Sequence, residues 1–147
     1  MERERVIEQV LGASHRASVE LLRRIYDRTR DNDPEYLLEL CTATLCCVRK
    51  SMPASAYAEV AQALPLPLRG MFFAGWSPGE PRVQFTDVEH FVRCVQPHVA
   101  CYAAEQVLEE DVIAAAWSFF ETFDSIAEIA RAYLPPELYT AADVYTE

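Results

Sequence analysis

Ala58-Glu-Val-Ala-Gln-Ala-Leu64-Pro65-Leu-Pro67-Leu-Arg69-Gly70-Met-Phe72-Phe73-Ala-Gly75-Trp76 is the stretch whose reading decides the fold. Its first part has the alanine and spaced apolar residues of a helix. Leu64 precedes a proline and is pushed out of the α region, so the helix stops there. An apolar, aromatic segment follows. The same pattern returns as Ala127-Glu-Ile-Ala-Arg-Ala-Tyr133-Leu134-Pro135-Pro-Glu137-Leu138, with Tyr133 as a one-residue insertion. A unit of this kind has an apolar face that it cannot bury alone, and two stacked units share one core. The expectation is an all-α bundle of about six to eight helices built from two pseudo-repeats. The halves are residues 1–76 and 82–147 of a single domain, joined by the Pro/Gly loop at 77–81.

Apolar spacing extends the helical reading along the chain. Residues 2–30 carry Val6, Val10, Leu11, Val19, Leu22, Ile25 and Tyr26 at helical intervals, and Gly12-Ala-Ser14 is expected to break them with Ser14 as a cap. Asp33-Pro34 opens a second helix with its apolar stripe at Leu37, Leu40, Cys41, Thr44, Leu45 and Val48. Ser55 is expected to cap the next, and Pro65 with Pro67 to forbid regular hydrogen bonding after it. Thr86-Asp-Val-Glu89 and Ser125-Ile-Ala-Glu128 read as capping boxes. Pro97 ends one helix and begins another. From Val99 to Phe123 the apolar residues keep a 3.6 period, with Glu109-Glu110-Asp111 as a solvated break.

The composition narrows the function classes. Half of the 147 residues are hydrophobic (51%), and only 4 are glycine, which disfavours a turn-rich β fold. The net charge of −10 argues against nucleic acid and anionic membrane surfaces as partners. Arg23, Arg24, Arg28 and Arg30 form a local basic cluster, read as a solvated helix face with Glu20 and Arg24 as an i,i+4 pair. The charged N-terminus lacks a signal-peptide core, no apolar run is long enough to span a bilayer, and five cysteines are an odd number. Reduced thiols in a cytoplasmic protein are the expectation.

The stretch from Gln62 to Trp76 resembles the bacterial domain-of-unknown-function family numbered 2267. That family has a helix ending in Leu-Pro, an arginine-glycine pair, aromatics and Gly-Trp, here Leu64-Pro65, Arg69-Gly70, Phe72-Phe73 and Gly75-Trp76. Phe91 to Val95 and Leu134-Pro135-Pro-Glu137-Leu138 continue the likeness, which covers roughly residues 34–140. Cys46-Cys47 departs from the family's small or leucine residues, and the stretch from Pro97 to Asp111 is longer than the pattern. The resemblance implies an all-helical double repeat and no established activity.

Chemistry-bearing residues are few. His90, Cys94, His98 and Cys101 are spaced along one helix face, and His with Cys is a ligand set for zinc. On a straight helix the outer pair is ~16 Å apart, so Pro97 would have to fold the chain back. No other cofactor is indicated. Cys41 falls on an apolar stripe, whereas Cys46 and Cys47 lie near Arg49 and Lys50, cations of the kind that stabilise thiolates. Gly-rich phosphate loops, nucleophile elbows and HExxH are missing, so no catalytic residue is assigned. Phe72, Phe73 and Trp76 either seal the core or face a partner; Arg69, if buried, must be paired, with a bidentate carboxylate as one available partner, and is read as a clamp on the Leu-Pro turn rather than an anion site. The leading expectation is a non-enzymatic interaction or scaffold module, with a protein partner or a second copy of the chain. The alternative is a pocket for an apolar ligand between the halves, at Trp117, Phe119 and Phe120. A His/Cys metal protein stands third.

Overall fold

A computed structural model describes residues 2–29, 33–100 and 106–140. Among these the fold is all-α, and no strand occurs. Helix α1 runs Glu2–Arg28 without interruption, so the expected break at Gly12-Ala-Ser14 is not there. A glycine inside a helix costs only about 1 kcal/mol, and the glutamates, arginines and leucines around it are good helix formers.

Helix α2, Pro34–Ser51, begins as the sequence predicts: the Asp33 carboxylate accepts from the Glu35 N–H at 3.0 Å, and Pro34 occupies the first turn. Between Leu40 and Ser51 only Thr42 and Lys50 are not buried, so α2 is enclosed on nearly all sides. It packs against α1 and against the later helices α4 (Leu66–Phe72), α5 (Val88–Val95) and α6 (Glu109–Thr122). A short helical turn at Ala54–Ala56 leads into α3, Tyr57–Ala63; Ser55 lies within that turn and supplies no cap bond to α3.

Leu64 is extended, with φ −98° and ψ 138°, as a residue before proline should be. Regular structure resumes at once, contrary to the expectation for Pro65 and Pro67. Pro65 is the N-cap of α4 and Pro67 lies in its first turn, where a missing N–H leaves no bond unmade.

Helix α5 is capped by Asp87, whose carboxylate accepts from the His90 N–H at 2.8 Å; Thr86 stands one residue too early. A short turn, Gln96–His98, follows. The three acids at Glu109–Asp111 open α6 rather than break a longer helix, because negative charge is stabilised at a helix N-terminus. Nor is the whole stretch solvated: Asp111 is buried and accepts from the Tyr36 hydroxyl at 2.7 Å. Helix α7, Asp124–Ala130, has no side-chain cap bond, and Ser125 sits inside it. After Leu134-Pro135 the turn Pro136–Leu138 closes the described fold.

The core joins Leu21 and Ile25 of α1, Leu40 of α2, Phe72 of α4, Phe91 of α5 and Phe119 of α6. Of the arginine cluster, Arg24 and Arg28 turn toward α6 while Arg23 stays on the solvated face. Arg28 lies 3.9 Å over the Trp117 ring and donates to Glu121 at 2.9 Å, and Arg24 pairs with Glu121 at 3.3 Å and with Glu20 at 3.1 Å. Arg23 pairs with Glu20, and Arg30 lies outside the described residues.

Candidate functional site

The C-terminal turns of α2 concentrate the unusual chemistry. Arg49 is 1% exposed, and its guanidinium is fully engaged. Nε and Nη2 donate to the two carboxylate oxygens of Glu80 at 3.1 and 2.7 Å. Nη1 donates to the carbonyls of Phe72 and Ala74 at 2.8 and 2.9 Å. Those carbonyls lie at the end of α4, where the helix leaves acceptors unsatisfied and favours a cation. Gly75, at φ +73°, lets the chain turn away from them. The pairing with a bidentate carboxylate that the sequence suggests for Arg69 therefore belongs to Arg49. Arg69 is half-buried and donates from Nε to the Leu64 carbonyl at 2.8 Å, bracing the Leu-Pro turn.

Two residues before Arg49 on α2, the Sγ of buried Cys47 lies 2.8 Å from the Sγ of half-buried Cys94 on α5. The hydrogen bond between them pushes the Cys47 thiol up, burial adds to this, and the same bond holds Cys94 below the ordinary thiol value. Lys50 favours the Cys94 thiolate too, and its Nζ sits 3.2 Å from His98 Nε2. His98 is held below 6.5 by burial first and then by the Lys50 and Arg49 cations. Cys41, wholly enclosed, is pushed up to about 12 by burial. A cleft of about 230 Å³ lies alongside, reached by Cys46, Arg49, Lys50, Glu80 and His98.

Of the metal set read from the sequence, Cys94 and His98 come together, and their third neighbour is Cys47 of α2, with the donor atoms within 4.8 Å of one another. His90 is not of this group: its Nδ1 accepts from the Thr86 N–H at 3.4 Å and its ring stands edge-on to Phe85. Cys101 lies outside the described residues. Sequence spacing within one helix cannot reveal Cys47, because it joins the group from another element.

The aromatic residues divide. Phe72 is fully enclosed, Phe73 is half-buried against it with ring centroids 5.0 Å apart, and Trp76 is exposed, edge-on to Tyr57. Phe119 and Phe120 are buried and tilted against each other at 5.3 Å, and Phe119 meets Phe123 at 5.6 Å. Trp117 is covered by Arg28.

A second feature lies at the other end of the molecule. The first half of α1 leaves Val6, Ile7, Val10 and Leu11 exposed at 53, 50, 67 and 61%. Beside it, Leu11, Gly12 and His15 of α1 face Leu66 and Pro67 of α4 across a mainly apolar groove of about 620 Å³. Periodicity marks these α1 residues as apolar but cannot say whether anything covers them.

No curated protein matches the chain. The model of a family described as uncharacterized conserved protein (DUF2267) matches residues 18–138, which takes in α1 from Ser18 onward and every later helix described. The exposed apolar residues of α1 precede the matched span. With its Leu-Pro, Arg-Gly and Gly-Trp motifs at the start, within and just beyond α4, the chain belongs to the DUF2267 family of uncharacterized conserved proteins.

Proposed function

We propose that this protein is a non-enzymatic interaction module whose first helix pairs with that of a second copy of the chain. The observation that carries the reading is the run of four apolar side chains, Val6, Ile7, Val10 and Leu11, each at least half exposed on one helix. Isolated exposed apolar residues are ordinary, but a contiguous set beside an apolar groove has the character of an interface.

Charge supports a second copy as the occupant. The chain as a whole carries −10, so two copies repel over most of their surface. Residues 2–16 carry no net charge: Glu2, Glu4 and Glu8 are balanced by Arg3, Arg5 and Arg16. Two such helices laid antiparallel bring each patch against itself, as a twofold interface requires. They also set the Glu/Arg-rich start of one helix along the other. At 1.5 Å per residue this half-helix is about 22 Å long, enough to cross the partner's groove at Leu66 and Pro67. Phe119, packed on both Phe120 and Phe123, supports a filled core at α6 more than a ligand pocket.

Light scattering on a sizing column tests this. The 16.7-kDa chain is expected to run as a dimer, and Val10→Glu with Leu11→Glu as a monomer with an unchanged thermal unfolding curve. A wild-type monomer at high micromolar concentration, or a dimer that survives both substitutions, overturns the proposal.

A further inference from the structure

We propose that Cys94 and Cys47 form a peroxide-responsive thiol pair, in which Cys94 is the attacking sulfur and Cys47 the resolving one. The argument begins with placement. The two sulfurs come from different helices, α2 and α5, and lie 2.8 Å apart with no residue between them. A disulfide needs about 2.05 Å, so closing the bond takes a movement of well under an ångström. Their exposure is asymmetric in the sense such a pair requires. Cys94 is half-buried and open to a small oxidant, while Cys47 is wholly enclosed and reachable only by its neighbour. Lys50, one helical turn after Cys47 and 3.2 Å from His98, places a cation beside the pair, of the kind that favours a thiolate.

The same geometry disfavours a resident metal ion. The Lys50 ammonium is 3.2 Å from His98 Nε2, so a divalent cation on this trio would face a full positive charge at one of its ligands. Among the described residues the other two thiols are set apart. Cys41 is enclosed and pushed up to about 12, and Cys46 points its Sγ at the Met71 and Ala74 carbonyls, each at 3.3 Å.

The chemistry balances with a hydroperoxide as the oxidant. The Cys94 thiolate attacks one peroxide oxygen, the O–O bond breaks, an S–O bond forms, and the leaving alkoxide or hydroxide takes up the proton that Cys94 had released. The sulfur of Cys47 then attacks the Cys94 sulfenic acid. An S–S bond forms, the S–O bond breaks, and the hydroxyl leaves as water with the Cys47 proton. Two thiols are oxidised by two electrons in total, and one peroxide is reduced. The product ties α2 to α5 beside the Arg49–Glu80 clamp, and a dithiol restores the starting state.

The test uses the full chain, reduced, freed of reductant, exposed to hydrogen peroxide, alkylated and mapped by mass spectrometry without reduction. The expected product is lighter by two hydrogens, is reversed by dithiothreitol, persists in Cys46→Ser and Cys101→Ser, and is lost in Cys47→Ser and Cys94→Ser. In Cys47→Ser a Cys94 sulfenic acid should be trapped by dimedone, a readout that does not depend on the bond forming. Circular dichroism confirms that each variant is folded. A bond that persists without Cys47, a wild-type pair left alkylatable after peroxide, or freshly purified protein carrying stoichiometric zinc that shields both thiols overturns the proposal.

Discussion

Arg49 is a full charge taken out of water, and its stability rests on four well-placed acceptor oxygens. Two of these are the Glu80 carboxylate. Removing that carboxylate leaves a buried cation facing only the α4 carbonyls, which costs far more than deleting a surface ion pair. Glu80→Ala should therefore destabilise the fold by about 3–5 kcal/mol in urea unfolding. Arg49→Met combined with Glu80→Ala should lose less than Glu80→Ala alone, because no charge is then stranded. Arg49→Lys should not restore stability, since an ammonium cannot span a bidentate carboxylate and two carbonyls together. The sequence drew attention to Arg69 instead, through its place in the Leu-Pro motif. Arg49 looked ordinary because its partners lie 23 to 31 positions away along the chain. Asp111 escaped notice for the same reason: its hydroxyl donor, Tyr36, is 75 positions distant.

Among the elements, α2 shows most clearly what periodicity can and cannot say. Its apolar stripe at Leu37, Leu40, Cys41, Thr44, Leu45 and Val48 was legible, and so were its Asp33-Pro34 start and the stop of α3 at Leu64, whereas α7 ends at Ala130, ahead of the stop expected at Leu134-Pro135. These signals are local: a cap bonds two residues on, and a proline acts on its neighbour. A single stripe implied a one-sided helix, yet α2 is covered by α1, α4, α5 and α6. One consequence is that the Thr44 hydroxyl is buried without a hydrogen-bond partner. In such an enclosed helix water cannot reach it, so Thr44→Val should stabilise the protein by about 1 kcal/mol, read as a higher urea midpoint at unchanged slope. Where local rules misplaced an element, the competing signals were also local and nearly equal. Thr86 and Asp87 are adjacent cap residues, and Pro67 suits the first turn of a helix as well as it suits a break.

For the whole molecule, the charge of −10 and the neutral apolar end of α1 pull in different directions. If two copies meet through that end, the contact itself is apolar while the rest of each chain repels its partner. Added salt screens the repulsion and leaves apolar burial intact. The dimer should therefore tighten between low and physiological ionic strength in sedimentation equilibrium; a contact held by ion pairs would weaken over the same range. The resemblance to the DUF2267 family was legible from the Leu-Pro, Arg-Gly and Gly-Trp stretch, and the matched span reaches further toward the N-terminus than those motifs, into α1 at Ser18.

By itself the sequence determined the helical class, the stop at Leu64-Pro65 and the kind of residues that would form a core, because these follow from backbone sterics and from apolar spacing within one segment. Tertiary structure alone decided which side chains meet: Arg49 with Glu80, Cys47 with Cys94, Tyr36 with Asp111, and which end of α1 remains uncovered. Such meetings depend on how whole helices pack against one another. No spacing within a single helix encodes the register of its neighbours.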